Sequence, residues 1–305
     1  ETIRSGQVSG NRSLWLLVPT PHTAPPFPPP SVAADRAKLT LSTMAGVADV
    51  QVYDTAEAAA VGLGKYTADV AAEAINEHGA FTVAIAGGSL VKMLAGMKGL
   101  EGVQWDKWHM FWVDERCLPH SDPESNYGGA EKVLLSQVPI PKSNIYPIND
   151  KLYGSSNTGA AGKAAEEYDK TIKSLPSEVL SRAGSLPSFD LLLLGFGPDG
   201  HICSLFPNHA LLDVNDERWI LPITDSPKPP PERITFSLPV VNAAKNICFV
   251  ACGGGKAEMA HIILDTSPAP GSIPAALVKP SSGKPVKWIM DTAAAEQITS
   301  ATTKA

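Results

Sequence analysis

No apolar run in this 305-residue chain approaches the roughly 20 residues that a membrane-crossing helix needs. Cysteine is scarce. Cys117, Cys203, Cys248 and Cys252 form no C-x-x-C pair and have no histidine partner at zinc spacing, so they read as reduced, mostly buried thiols of an intracellular protein. Positive charge is in deficit, with 25 Lys and Arg against 31 Asp and Glu and a net charge of −6. That balance argues against a nucleic-acid or membrane-surface role and requires any anion site to be locally basic. There is no internal repeat, and no linker follows residue 44. What is there is ordinary globular composition, 44% hydrophobic and 18% charged, in a length that suits one large α/β domain or two small ones.

Residues 1–43 stand apart. They hold seven of the 27 prolines, all within PTPHTAPPFPPPS, and only two acids, Glu1 and Asp35. They show no apolar periodicity, so this stretch is expected to be a disordered N-terminal extension, with 44–305 a single domain. Its low acid content fits the remnant of a plastid-type transit peptide. It fits equally an upstream segment ahead of Met44, and its five serines and four basic residues are few for a transit peptide. The expected compartment is the cytoplasm, or the plastid if 1–43 is such a remnant.

From Val50 onward strands and helices alternate. VQVYD, FTVAIA, WHMFWV, FDLLLL, RITFSLPV, NICFVAC and VKWIM read as strands. Asp54 or Thr55 can cap a long helix that runs to about His78 and stops at Gly79. Further helices are expected after GGS, after SNYGG, over TGAAGKAAEEYDKTIKSL and through GGGKAEMAHIIL. Continuous apolar strands between helices predict an α/β fold, a mostly parallel sheet flanked by helices on both faces. Ligands in such folds bind at the carboxyl ends of strands. That rule gathers Gly87-Gly88-Ser89, Asp114-Glu115-Arg116, Asp199-Gly200-His201 and Gly253-Gly254-Gly255-Lys256 at one edge.

GFGPDG, 195–200, matches the dinucleotide fingerprint, which requires a helix to open inside the motif. Pro207 arrives too soon for one, and no strand-end acid follows about 20 residues on. GGGKA falls short of a P-loop, because Val250 and Ala257 occupy the positions that need Gly and Ser or Thr. It remains a glycine turn with bare N–H groups beside a cation, suited to phosphate. GGS at 87–89 carries little alone. His201 is the sharpest residue: it ends a turn after a buried strand, and Asp199 stands two positions before it, where a carboxylate can orient the ring. Arg116 is either a surface ion pair with Asp114 or Glu115 or a forked clamp on a phosphate. Cys203 has no second base near it and is not read as a nucleophile.

Together, AIAGGS (84–89), WHMFWVDER (108–116), SNYG (125–128), FDLLLLGFGPDGHICSLFPNH (189–209), SPKPPPERITFSLPVVNAAKNICFVACGGGKAEM (226–259) and VKWIMDTAA (286–294) resemble the 6-phosphogluconolactonase family. The resemblance spans about residue 50 to the end. It implies a modified Rossmann-like fold shared with glucosamine-6-phosphate deaminases, no metal, no cofactor, and hydrolysis of 6-phospho-D-glucono-1,5-lactone to 6-phosphogluconate. By motif position His201 is the catalytic histidine, with Asp199 its orienting partner and Asp114 lining the same cavity. Arg116, Lys256, Gly87, Gly88 and Ser89 hold phosphate, and Arg233 in PERIT lies at the site's edge. The partner is this small sugar-phosphate lactone, not nucleic acid or membrane, and the enzyme is expected to be a monomer, with a dimer as the alternative.

The chain departs from the family pattern in places. Leu90 replaces a threonine in the first loop, GGGKA replaces the commoner GAGKA, and Asn208 stands where glycine usually follows SLFP. Asn tolerates the left-handed backbone that such a glycine implies.

A lactone is an activated ester, so one imidazole can take a proton from attacking water and return it to the ring oxygen. Backbone N–H groups near Gly200–His201, or Arg116, are candidate oxyanion donors. The rival functions are an aminosugar-phosphate deaminase or isomerase and a non-catalytic sugar-phosphate sensor. ICSLFPN lacks the acid that would complete a deaminase relay, and retention of both Asp199 and His201 argues against a sensor.

Overall fold

The computed structural model describes residues 39–43, 46–152, 159–299 and 303–304, with side chains over 48–152 and 159–299. The strands are β1 (Leu39–Thr43), β2 (Gly46–Tyr53), β3 (Phe81–Ile85), β4 (Trp108–Trp112), β5 (Asp114–Arg116), β6 (Ser181–Ala183), β7 (Leu186–Ser188), β8 (Leu191–Leu194), β9 (Ile220–Ile223), β10 (Arg233–Phe236), β11 (Ile247–Ala251), β12 (Val286–Asp291) and β13 (Thr303–Lys304). The α-helices are α1 (Ala56–His78), α2 (Ser89–Met93), α3 (Asn126–Ala130), α4 (Ala160–Lys173), α5 (Leu238–Asn242) and α6 (Ala257–Asp265). None of these is long and apolar enough to cross a membrane.

The main sheet runs β1-β2-β12-β11-β8-β3-β4, with β13 also on β2. Every pairing in it is parallel except β1 with β2. Strands β3, β8 and β11 are buried residue after residue, as the apolar runs FTVAI, LLLL and ICFVA require in a sheet covered on both faces. Helix α1 packs along β2, β3 and β12. It is alanine-rich, and Thr55 caps it by accepting the Ala58 N–H at 3.1 Å. Trp108 and Phe81 meet edge to face at 4.7 Å, and Phe111 reaches Phe189 at 5.2 Å. Each such side chain contributes roughly 1.5–3 kcal/mol on burial. The sheet core thus carries the stability, which leaves the loops at its carboxyl edge free to hold charge.

Three elements differ from expectation. DER, expected as the loop that ends the WHMFWV strand, forms a short strand of its own. After Val113 donates to Ile85 O, the chain leaves the main sheet, and β5 pairs antiparallel with β10, which pairs with β9. The cause is charge: DER cannot continue in a sheet whose faces are both apolar, whereas beside β10 its polar groups find partners. RITF likewise belongs to this second sheet, on which α4 packs. Leu39–Thr43 lies within the segment expected to be disordered, yet LTLST alternates with period two and pairs with β2. The rest of 1–43, apart from that strand, lies outside the described residues. The short strands β6, β7 and β9 had no clear signal, each being three or four residues with a proline or charge at its centre.

Candidate active site

Strands β11, β8, β3 and β4 are neighbours in the sheet, and the loops that leave their carboxyl ends meet around a cavity of about 200 Å3. Gly87, Gly88 and Ser89 follow β3, Asp114 and Arg116 follow β4, Gly195 to His201 follows β8, and Lys256 follows β11. Arg233 completes the wall from β10, directly opposite Arg116 in the antiparallel register. Asp199 is not in the wall; it stands behind His201.

No helix opens within the GFGPDG turn among the described residues; the chain runs through turns until a short 3-10 segment at Ala210–Asp213. The glycines serve the histidine instead. The Gly197 N–H donates to His201 O at 2.9 Å. A Cβ on Gly197 would lie 2.1 Å from His201 Nδ1 and Cε1 and 2.5 Å from Asp199 Oδ1. Only glycine lets the ring and carboxylate fold back over this bend. The Gly200 N–H is committed to Gly197 O at 3.0 Å, so it is not free to stabilise an oxyanion.

His201 Nδ1 lies 2.5 Å from Asp199 Oδ1. Burial would push the Asp199 carboxyl up, but hydrogen bonds from His201 and Lys228 outweigh it and hold it at about 2. An ionised carboxylate only accepts, so Nδ1 carries the proton and the neutral ring has its lone pair on Nε2. Burial holds the ring's own pKa below the ordinary 6.5, against the opposing pull of Asp199. The resting group is therefore a neutral imidazole with a basic nitrogen, packed 4.8 Å from the Phe206 ring.

The cationic side of the cavity is built as deliberately. Arg116 Nη1 donates to Glu124 O at 2.6 Å, while its buried Nε has no hydrogen-bond partner. Lys256 Nζ donates to Phe196 O at 2.5 Å and keeps two further N–H groups; burial lowers its pKa, with Lys228 adding to the effect. Its turn is pinned by Asp291 at the end of β12, which accepts the Gly253 N–H at 2.9 and 3.0 Å. Asp114 accepts from Ser204 Oγ at 2.8 Å and from Asn126 Nδ2 at 3.3 Å. Arg233 donates through Nε to Pro230 O at 2.9 Å and through Nη2 to Lys228 O and Pro229 O at 2.9 and 3.0 Å. Most of its hydrogen-bonding capacity is spent on that bend.

Four contributors were not singled out from the sequence: Lys228, Asn126, Ser204 and Asp291. Asn126 explains Gly87, where a Cβ would fall 1.8 Å from Asn126 Oδ1. Behind it Glu115, fully buried and pushed up to about 7 by that burial, accepts N–H bonds from Tyr127, Asn126 and Arg116 and fixes the start of α3. None of these four carried a local signal. Each acts through a partner far away in the chain, and Lys228 sits in a proline run that reads as a plain turn. Cys203 lines the cavity with positive φ, and burial raises its thiol well above the ordinary range, so it is no thiolate nucleophile. Asn208 does adopt the left-handed backbone, φ 56°. No group of three or more His, Cys, Asp or Glu among the described residues is placed to hold a metal ion.

A family model described as glucosamine-6-phosphate isomerases/6-phosphogluconolactonase matches residues 54–288. "Probable 6-phosphogluconolactonase 3, chloroplastic" of Oryza sativa subsp. indica is 44% identical over 256 residues, covering 82% of this chain and 76% of its own. "Probable 6-phosphogluconolactonase 1" of Arabidopsis thaliana is 41% identical over 261 residues, covering 82% and 93%. The solved 6-phosphogluconolactonase of Trypanosoma brucei superposes with a TM-score of 0.70 at 25% identity, over 81% of this chain and 97% of its own.

Proposed function

Because the chain belongs to the glucosamine-6-phosphate isomerase/6-phosphogluconolactonase family, we propose that its cavity hydrolyses 6-phospho-D-glucono-1,5-lactone to 6-phospho-D-gluconate by general acid–base catalysis at His201. The observation that carries the mechanism is the pairing of His201 Nδ1 with Asp199, which turns a basic Nε2 over to the cavity that Arg116 and Lys256 share. Water attacks C1 as Nε2 takes its proton. The tetrahedral intermediate then expels the ring oxygen, the C1–O bond breaks, and the same nitrogen returns the proton to that oxygen. Asp199 is a positioning residue here: it fixes the tautomer and stabilises the transient imidazolium.

The phosphate lies at the opposite end of the sugar from C1. Arg116 and Lys256, with two spare N–H groups on the latter, are the charged donors that hold it, and the Gly87–Ser89 turn supplies backbone. This remote grip positions the reacting ring. Arg233 belongs to the site by holding the bend that carries Lys228. Asp114 lines the floor and is held in place by Ser204 and Asn126.

The decisive assay supplies freshly generated lactone, subtracts its spontaneous hydrolysis, and runs glucosamine 6-phosphate beside it. Lactone turnover without ammonia release supports the assignment, and ammonia release with no lactone turnover rejects it. Lys256→Ala is expected to raise KM for the lactone roughly tenfold or more and to weaken inhibition by inorganic phosphate in parallel. Unchanged phosphate inhibition would place the anion elsewhere.

The rice relative's name carries the word chloroplastic. With the proline-rich, acid-poor composition of 1–43, that supports a plastid address for this chain. Fusing 1–43 to a fluorescent protein in leaf cells tests it, and a cytosolic signal would reject it.

A further inference from the structure

Lys228 takes no part in the cavity wall, yet its ammonium lies 3.0 Å from Asp199 Oδ1 and 3.1 Å from His201 Nδ1. We propose that Lys228 is a positioning residue for the His201–Asp199 pair: it fixes the carboxylate and sets a positive charge against the Nδ1 side of the ring, so that the free enzyme keeps His201 neutral and basic at Nε2. This rests on the assignment of His201 as the base.

The geometry leaves Lys228 one consistent role. Nδ1 carries a proton and donates it to Asp199, so Lys228 cannot donate to Nδ1 as well. Its own hydrogen bond goes to the same Oδ1, which is held from two sides. The remaining effect of the ammonium on the ring is its charge, which disfavours imidazolium. The placement is not a floppy lysine's accident. Ser226 Oγ donates to Lys228 O at 2.8 Å, and the Lys228 N–H donates back to Ser226 Oγ at 3.3 Å. Arg233 Nη2 grips the same carbonyl, and Pro229, Pro230 and Pro231 stiffen the chain beyond the lysine. The buried guanidinium of Arg233 is thus spent on delivering a second cation to the histidine.

The charged groups around the ring are Asp199 and Lys228 on the Nδ1 side and Asp114 from β5, with Lys256 from the turn after β11 acting on Asp199 and Lys228. Asp199 and Asp114 favour imidazolium; Lys228 opposes it, in the same sense as burial. Removing Lys228 takes away a repulsion and leaves Asp199 to the ring alone. Both changes act in one direction: the ring holds its proton to higher pH.

The test compares the wild type with Lys228→Met and Lys228→Arg. The His201 ring is titrated by NMR in the substrate-free enzyme, its resonance assigned by absence in His201→Ala, and kcat/KM and KM are measured across pH. Lys228→Met is expected to move the ring's midpoint and the acid limb of kcat/KM upward together, by about one unit. Well below both midpoints that is about a tenfold loss of kcat/KM, and Lys228→Arg brings both back toward the wild type. A ring midpoint that stays put in Lys228→Met while KM rises would overturn the proposal and make Lys228 a substrate ligand. A wild-type acid limb that does not coincide with the ring's midpoint would instead remove His201 as the base. The substrate-free titration tests Lys228 in either case.

Discussion

His201→Ala should yield a folded protein whose kcat/KM for the lactone is at least about 100-fold lower, the scale of losing a positioned acid–base group. The fold is expected to survive because the residue's ties are local: Nδ1 to Asp199, the ring face to Phe206, the backbone carbonyl to Gly197. Alanine keeps the last of these, and Lys228 remains as a partner for Asp199 Oδ1. Thermal denaturation checks that expectation. The sharper check is pH. In the wild type only the neutral ring is the base, so kcat/KM should fall tenfold per unit below the ring's pKa and level off above it. Burial places that limb below the ordinary 6.5. In His201→Ala the limb should vanish along with the rate. A variant that kept near-wild-type turnover, or kept the limb, would place the base elsewhere.

The strands that build this site were legible because burial on both faces writes itself into sequence as unbroken apolar runs. FTVAI and LLLL are short unbroken apolar runs that fit buried strands, and cap chemistry narrowed the ends of α1 to Asp54 or Thr55 and Gly79, of which Thr55 is the N-cap. The carboxyl-edge rule is enough to bring Gly87, Asp114, Arg116, His201 and Lys256 together without a single distance. What stayed hidden was whatever depends on pairing across the chain. Nothing local in DER says that its partner is RITF, more than a hundred residues on, so β5 read as a loop and β10 as a strand of the main sheet. Nothing local in SPKPPP says that its lysine reaches Asp199. Arg233 shows the limit most clearly. The resemblance puts it at the site's edge and it does line the cavity, yet nothing local says that its hydrogen bonds go chiefly to the backbone of the lysine's own loop. Residue identity announces what a group can do, and only the fold decides on whom it does it.

Gly197→Ala is the second large effect expected, and it separates the histidine's support from a nucleotide fingerprint. The added methyl would sit 2.1 Å from two ring atoms of His201 and 2.5 Å from the Asp199 carboxylate, far inside contact distance. Something must move, and what stands in the way is the ends of two side chains rather than backbone. The cheapest relief is to swing the imidazole and carboxylate off the bend, which costs the core little and costs the mechanism its geometry. The expected outcome is a melting temperature within a few degrees of the parent and a kcat about 100-fold lower, since a displacement of about 1 Å in a reacting group is enough for that. KM should change much less, because Arg116 and Lys256 are untouched. Gly195 is the contrast within the same motif: a Cβ there meets nothing within 4 Å, so packing does not demand glycine. A dinucleotide turn would need its glycines for a pyrophosphate against a helix start, and the chain offers no helix there. If Gly197→Ala kept full kcat, the ring would have another way to sit, and the tie between the glycine bend and the catalytic tautomer would be broken.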